Sequence, residues 1–129
     1  MSSKCSSNNC SSNNGNLMIL ACSGGSNVGQ LSNQAAIDLT REGFGKMFCL
    51  AGIGARLSGF VQSAKDVDNI IAIDGCKVGC AKAVLEENGI ESKNHLVLTD
   101  LDIEKNKNFD LDADHLDKVK TKIKQILAA

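Results

Sequence analysis

Apolar residues along this chain fall into short continuous runs separated by stretches of helical spacing, after an opening segment that has no apolar run. Residues 1–15 repeat Ser and Asn around Cys5 and Cys10, a composition that cannot bury enough apolar surface to offset the entropy of ordering it. They are predicted to be a flexible tail, and residues 16–129 a single domain. From Leu17 to Ala21 the residues are all apolar, the pattern of a strand buried on both faces of a parallel sheet. The turn Ser23-Gly24-Gly25-Ser26-Asn27 then leads into Val28, Leu31, Ala35 and Leu39 at helical spacing, with Gly43 placed as a C-terminal stop.

The strand, turn and helix recur. Lys46 to Leu50 reads as a second strand, Ala51-Gly52-Ile53-Gly54 as a turn, and residues 55–64 as a helix. Asn69 to Asp74 reads as a third strand, followed by Gly75 and a helix from about Cys76 to Asn88 that Gly89 closes. His95 to Leu98 makes a fourth strand. The final helix carries Leu116, Val119, Ile123, Ile126 and Leu127 on one face. Its acidic residues (Asp112, Asp114, Asp117) precede its lysines (Lys118, Lys120, Lys122, Lys124), the order the helix macrodipole favours. Those lysines read as a solvated face.

Alternating strand and helix units imply an α/β domain: a doubly wound, three-layer arrangement around a mostly parallel four-stranded sheet, Rossmann-like or flavodoxin-like, with order 2-1-3-4. In such folds ligands bind beyond the carboxyl ends of the strands, where the strand order reverses. That edge is where chemistry is to be sought.

Composition narrows the classes. A chain of 129 residues suits one hydrophobic core. With four Phe and no Trp or Tyr, the core must come from Leu, Ile, Val and Ala, and stacking on nucleic-acid bases is not expected. The net charge of -1 gives no overall attraction to phosphate backbones or anionic membranes. Neither nucleic acid nor membrane is an expected partner. The polar start lacks the apolar region of a secretion signal, and no apolar run approaches the roughly 18 residues of a membrane span, so a cytoplasmic protein is expected. Its six cysteines then read as ligands or redox groups and not as disulfides, because cytosolic reductants keep thiols reduced.

Four of those cysteines fall at one edge of the expected sheet. Cys22 ends the first strand, Cys49 stands one residue before the end of the second, Cys76 follows the third, and Cys80 lies one helical turn later. Topology alone gathers them. With Cys76 and Cys80 at the start of a helix, residues i and i+4 share a face, and free N–H groups prime both sulfurs as ligands or nucleophiles. Four thiolates make a closed tetrahedral zinc site, whereas three leave a position open. An iron–sulfur cluster also takes four cysteines, although the spacing matches neither ferredoxin pattern. The C-x-x-x-C pair has one residue more between its cysteines than the thioredoxin-type C-x-x-C, so a redox disulfide is not signalled.

Other residues contribute less. His95, at the start of the fourth strand, is expected at the edge opposite the cysteines, and His115 near the start of the last helix, so neither is expected as a ligand. Asp74 and Asp100 fall at the cysteine edge, and a helix cap is the expected role of Asp74. The Ser23 to Gly29 turn meets a helix start but matches neither a dinucleotide fingerprint nor a P-loop. Between Cys49 and Arg56 six residues intervene, one too many for a phosphatase-type loop.

The residues Ile73-Asp74-Gly75-Cys76, followed by Cys80-Ala81-Lys82, resemble the signature of the DGC-domain family, small proteins described as zinc-binding. Cys22-Ser23-Gly24, the run Lys46 to Gly54 and Thr99-Asp100-Leu101 are similar to that family too, as is the cysteine-bearing N-terminus. Lys77 departs from the pattern, since such proteins often carry a proline there. The resemblance implies metal binding through Cys22, Cys49, Cys76 and Cys80. Zinc is the leading expectation, in a non-catalytic, structural, sensing or metal-handling role. The alternatives are a thiol-dependent redox or sulfur-transfer enzyme using Cys76 or Cys22, and an iron–sulfur protein.

Overall fold

The computed structural model describes residues 16–129; the tail reading of residues 1–15, with Cys5 and Cys10, lies outside them. Four parallel strands form one sheet in the order β2-β1-β3-β4, where β1 is Leu17–Ala21, β2 Lys46–Met47, β3 Asn69–Asp74 and β4 Asn94–Val97. This is the order the alternation predicts. β1 is central, pairing Met18 with Lys46 on one side and Leu17 through Ala21 with Asn69 through Ile73 on the other. Every residue of β1 is buried, which is why that strand is continuously apolar and not alternating.

The two faces of the sheet have separate cores. Leu17, Ile19, Ala21, Ile71 and Ile73 point to one face, where α1 (Asn27–Arg41) and α5 (Ala113–Ala128) supply Leu31, Leu39, Val119 and Ile123. Met18, Leu20, Ile70 and Ala72 point to the other. There α2 (Leu50–Gly54), α3 (Ser58–Asp66) and α4 (Cys80–Glu87) supply Ile53, Ala64, Ala81 and Leu85. The period-2 alternation of side chains across a strand produces this division. A helix layer on each side gives the three-layer, Rossmann-like architecture.

Several boundaries differ from the sequence reading. β2 ends at Met47, not Leu50, and the glycine-containing stretch Leu50–Gly54 is a helix, not a turn. Gly52 sits on that helix because a Cβ there would come within 2.4 Å of the Phe60 ring; close helix packing, not turn geometry, requires the glycine. α3 starts at Ser58, after Arg56 has taken a left-handed φ of 61°. α4 starts at Cys80, not Cys76. Gly79, at φ 69°, breaks the backbone before it. The carboxylate of Asp74, 1% exposed, accepts from the N–H groups of Ala81 at 2.7 Å and Lys82 at 3.2 Å. A buried carboxylate on two N-terminal amides fixes where the helix begins.

After β4 a 3₁₀ turn (Leu98–Leu101) and an irregular strap lead to α5. The strap is anchored at Ile103, which is buried in the core with α1 and α5. Asp112 starts α5, its carboxylate accepting from Asp114 N–H at 2.8 Å. Among the described residues no helix is long and apolar enough to cross a membrane.

Candidate functional site

The four cysteines stand beyond the carboxyl ends of three successive strands. Cys22 directly follows β1, Cys49 precedes α2 just after β2, and Cys76 and Cys80 flank the turn after β3. β1 and β3 are neighbours, and the backbone continues their pairing past the strand ends, with Cys22 N–H donating to Ile73 C=O at 3.0 Å. Gly75 N–H then donates to the Cys22 sulfur at 3.3 Å. Cys22 is thereby tied to the Asp74-Gly75-Cys76 turn itself.

Glycines let these turns meet. A Cβ on Gly29, in the first turn of α1, would stand 2.3 Å from Gly24 C=O, and one on Gly75 would stand 2.7 Å from Gly29 N. The turn after β1, the start of α1 and the turn after β3 therefore pack backbone against backbone. The space beside the Gly75 Cα holds the first turn of α1. Ser23, between Cys22 and Gly24, takes φ 52°, an uncommon conformation for a residue with a Cβ. Its N–H donates to Ser32 Oγ at 3.4 Å, and Cys22 Sγ lies 3.5 Å from the same oxygen. Ser32 is buried and gives its own proton to Gly29 C=O at 2.6 Å.

The pair Cys76 and Cys80 is arranged differently from the sequence reading. Because α4 begins at Cys80, Cys76 lies in the preceding turn and the two do not share a helix face. Val78, between them, is 73% exposed, so the turn projects from the surface. Cys76 is half-buried and receives the ammonium of Lys105 at 3.5 Å from its sulfur. Cys49 and Cys80 are exposed. Among the described residues no three His, Cys, Asp or Glu side chains converge into a group ready to hold a metal ion. The donor set nonetheless fits a soft metal in its chemistry, since sulfur ligands select zinc or iron–sulfur clusters over calcium or magnesium.

His95 corrects a position. β4 is short and pairs only with the last four residues of β3, Asn94 opposite Ile71 and His95 opposite Ala72. The start of β4 is therefore not at the far edge of the sheet. His95 Nε2 reaches Asp74 Oδ2 at 2.7 Å, placing a histidine one residue contact from the cysteine turn. Reading strand starts as one edge assumes strands of equal length, and that assumption fails here.

The match to known proteins follows this geometry. The DGC domain model matches residues 18–123, from β1 to α5, and includes all four edge cysteines. The chain belongs to the DGC domain family. A curated relative in Pseudomonas aeruginosa, the anaerobic and virulence modulator AnvM, is 32% identical over 110 residues, covering 85% of this chain and 84% of the relative. No solved structure matches. In this DGC chain the Asp-Gly-Cys triplet divides its tasks: Asp74 starts α4, Gly75 packs on α1 and donates to Cys22, and Cys76 offers its sulfur at the surface.

Sequence reasoning missed Ser32, Asn27 and Lys105. Asn27 heads α1, yet its side chain binds the strap, donating from Nδ2 to Glu104 C=O at 2.8 Å and accepting from Asn106 N–H at 2.6 Å. No spacing pattern announces such a contact between residues so far apart in the chain.

Proposed function

We propose that this DGC-domain chain is a non-catalytic, cysteine-based modulator that holds a soft metal ion, zinc first, at the carboxyl edge of its sheet. The observation carrying this reading is the hydrogen bond from Gly75 N–H to the Cys22 sulfur, which links two cysteine-bearing turns from neighbouring strands. Donors of one soft type at one edge are what a zinc–thiolate centre needs. Cys22 and the Cys76 turn are the preorganised part, and exposed Cys80 and Cys49 are the ligands that close the shell. The name of the relative, an anaerobic and virulence modulator, supports a regulatory role over an enzymatic one. Zinc would supply a charged structural centre whose loading alters the exposed turn at Val78, in a cytoplasmic setting.

The test is elemental analysis with a visible spectrum on one anaerobic preparation of the full chain. Colourless protein carrying about one zinc per chain, lost in Cys22→Ser and Cys76→Ser, is the expected result. Brown protein would replace zinc with an iron–sulfur cluster. The second reading is thiol-dependent redox or sulfur transfer at Cys76 or Cys22. It is favoured by the exposure of Cys49 and Cys80 and by the absence of three converged donors among the described residues. Metal-free protein with all four edge thiols freely titratable would sink the zinc proposal, and rapid alkylation of one of them would support this second reading.

A further inference from the structure

The strap after the 3₁₀ turn brings a lysine to the cysteine edge, and its hold on that lysine is unusually specific. Asn27 is 7% exposed, and its side-chain amide grips the backbone on both sides of Lys105. Nδ2 donates to Glu104 C=O at 2.8 Å, and Oδ1 accepts from Asn106 N–H at 2.6 Å. A third bond runs from Asn27 N–H to Asn106 C=O at 2.9 Å. Ile103, buried in the core, fixes the strap two residues earlier. Lys105 thus projects from a segment clamped by a buried amide and a core anchor, and its ammonium donates to the Cys76 sulfur at 3.5 Å. Lys77, beside Cys76 in the chain, turns instead toward Asp100 at 4.0 Å. The positive charge at the Cys76 sulfur comes from the strap.

We infer that Lys105, presented by the Asn27 clamp, is the positioned counter-charge of the Cys76 sulfur. In the metal site, on which this inference rests, it offsets the net negative charge of three or four thiolates around one divalent ion while donating to a ligand sulfur from outside the coordination shell. Lys105 is a positioning residue: it touches the ligand and not the metal. Its charge also sets which reagents reach Cys76, drawing anionic thiol-reactive partners and repelling cationic ones. A unit charge at about 4 Å changes an encounter equilibrium by roughly fivefold even in bulk water, so opposite charges on two reagents separate their rates by more than that.

The experiment compares, on the full chain, the rates at which anionic sulfonatoethyl methanethiosulfonate and cationic trimethylammonioethyl methanethiosulfonate modify Cys76, located by peptide mass spectrometry. Both reagents need the same ionised sulfur, so their rate ratio cancels the ionised fraction and isolates the local charge. Lys105→Ala is expected to lower the anionic-to-cationic ratio about tenfold, and Lys105→Arg to keep it within about twofold. Asn27→Ala should lower it with Lys105 still present; if that variant does not fold, the uncharged, similarly sized Asn27→Leu, checked by circular dichroism, replaces it. Zinc affinity, read by competition with a chromophoric chelator, should fall about tenfold in Lys105→Ala and be restored in Lys105→Arg. An unchanged ratio in Lys105→Ala overturns the inference, and so does zinc binding in that variant as tight as in the parent. A wild-type ratio in a folded Asn27 variant overturns the clamp. A lowered ratio in a protein that takes no zinc in any form supports the counter-charge and rejects the metal reading, so the two failures are distinguishable.

Discussion

His95 Nε2 and Asp74 Oδ2 are 2.7 Å apart, joining a strand residue to the carboxylate that starts α4. Asp74 serves three donors at once: Ala81 N–H, Lys82 N–H and the imidazole. This one buried side chain fixes the start of α4, hence the length of the turn that carries Cys76 and the position of Cys80 at its end.

Replacing Asp74 by Ala should therefore destabilise the domain by about 2–3 kcal/mol, because buried donors are left without an acceptor. His95→Ala removes one of the three bonds and should cost about 1 kcal/mol. Urea unfolding of both variants measures the difference. A smaller cost for Asp74→Ala than for His95→Ala would show that Asp74 is not the cap.

The glycine contacts make a sharper comparison. Gly75→Ala forces a Cβ to 2.7 Å from backbone atoms of α1, a clash no side-chain rotation relieves, and should cost about 2–3 kcal/mol. Gly59 lies in α3 with nothing within 4 Å of its added Cβ. Gly59→Ala should stabilise by about 0.5–1 kcal/mol through helix propensity. Opposite shifts in the melting temperature are expected from the same chemical change.

Glu42 sits between Lys120 at 2.7 Å and Lys124 at 2.9 Å, joining the end of α1 to α5. Hydrogen bonds to these two lysines hold its carboxyl below the usual 4.5. A lowered folded-state pKa means its contribution is present above the unfolded value and is lost as pH falls through the folded one. Glu42→Gln should cost about 0.5–1 kcal/mol at neutral pH and low salt, given the exposure of the pair. The difference from the parent should shrink below about pH 4.5 and in high salt. Lys120 shifts upward, chiefly through its bond to Glu42, so its share persists through neutral pH and is lost only as strongly alkaline pH is reached.

Zinc binding at the proposed site must appear as stability. At a free concentration about 100 times the dissociation constant, a ligand specific for the folded state adds about 2.7 kcal/mol. Zinc should raise the melting temperature of the full chain, and Cys22→Ser or Cys76→Ser should abolish the rise. Ser23→Gly, which relieves the left-handed φ beside Cys22, should stabilise the metal-free form by about 1 kcal/mol. A zinc-dependent shift that survives both cysteine substitutions would place the ion elsewhere.

The continuous apolar run of β1, the glycine stops at Gly43 and Gly89, and the alternation of strand and helix were enough to predict the sheet order and the edge on which the cysteines lie. Those features are local: burial on two faces, φ-positive stops and crossover handedness act within a few residues or through chain connectivity. The start of α4 was not legible, because helical spacing continues backward through Cys76, and the carboxylate that decides the boundary lies in the preceding strand. The edge position of His95 depended on how β4 staggers against β3, a register that no residue of β4 states by itself.

The sequence by itself determined the α/β architecture and the gathering of Cys22, Cys49, Cys76 and Cys80 at the carboxyl edge of the sheet, since apolar periodicity and chain order are carried residue by residue; that Cys49 lies beyond β2 and not within it followed only from the fold, where β2 ends at Met47. Only the tertiary structure decided what surrounds each sulfur. Gly75 N–H at Cys22, Lys105 at Cys76 and Asn27 gripping the strap are contacts between residues remote in the chain, formed where separate turns pack together. Such bonds depend on distances that exist only once both cores have closed.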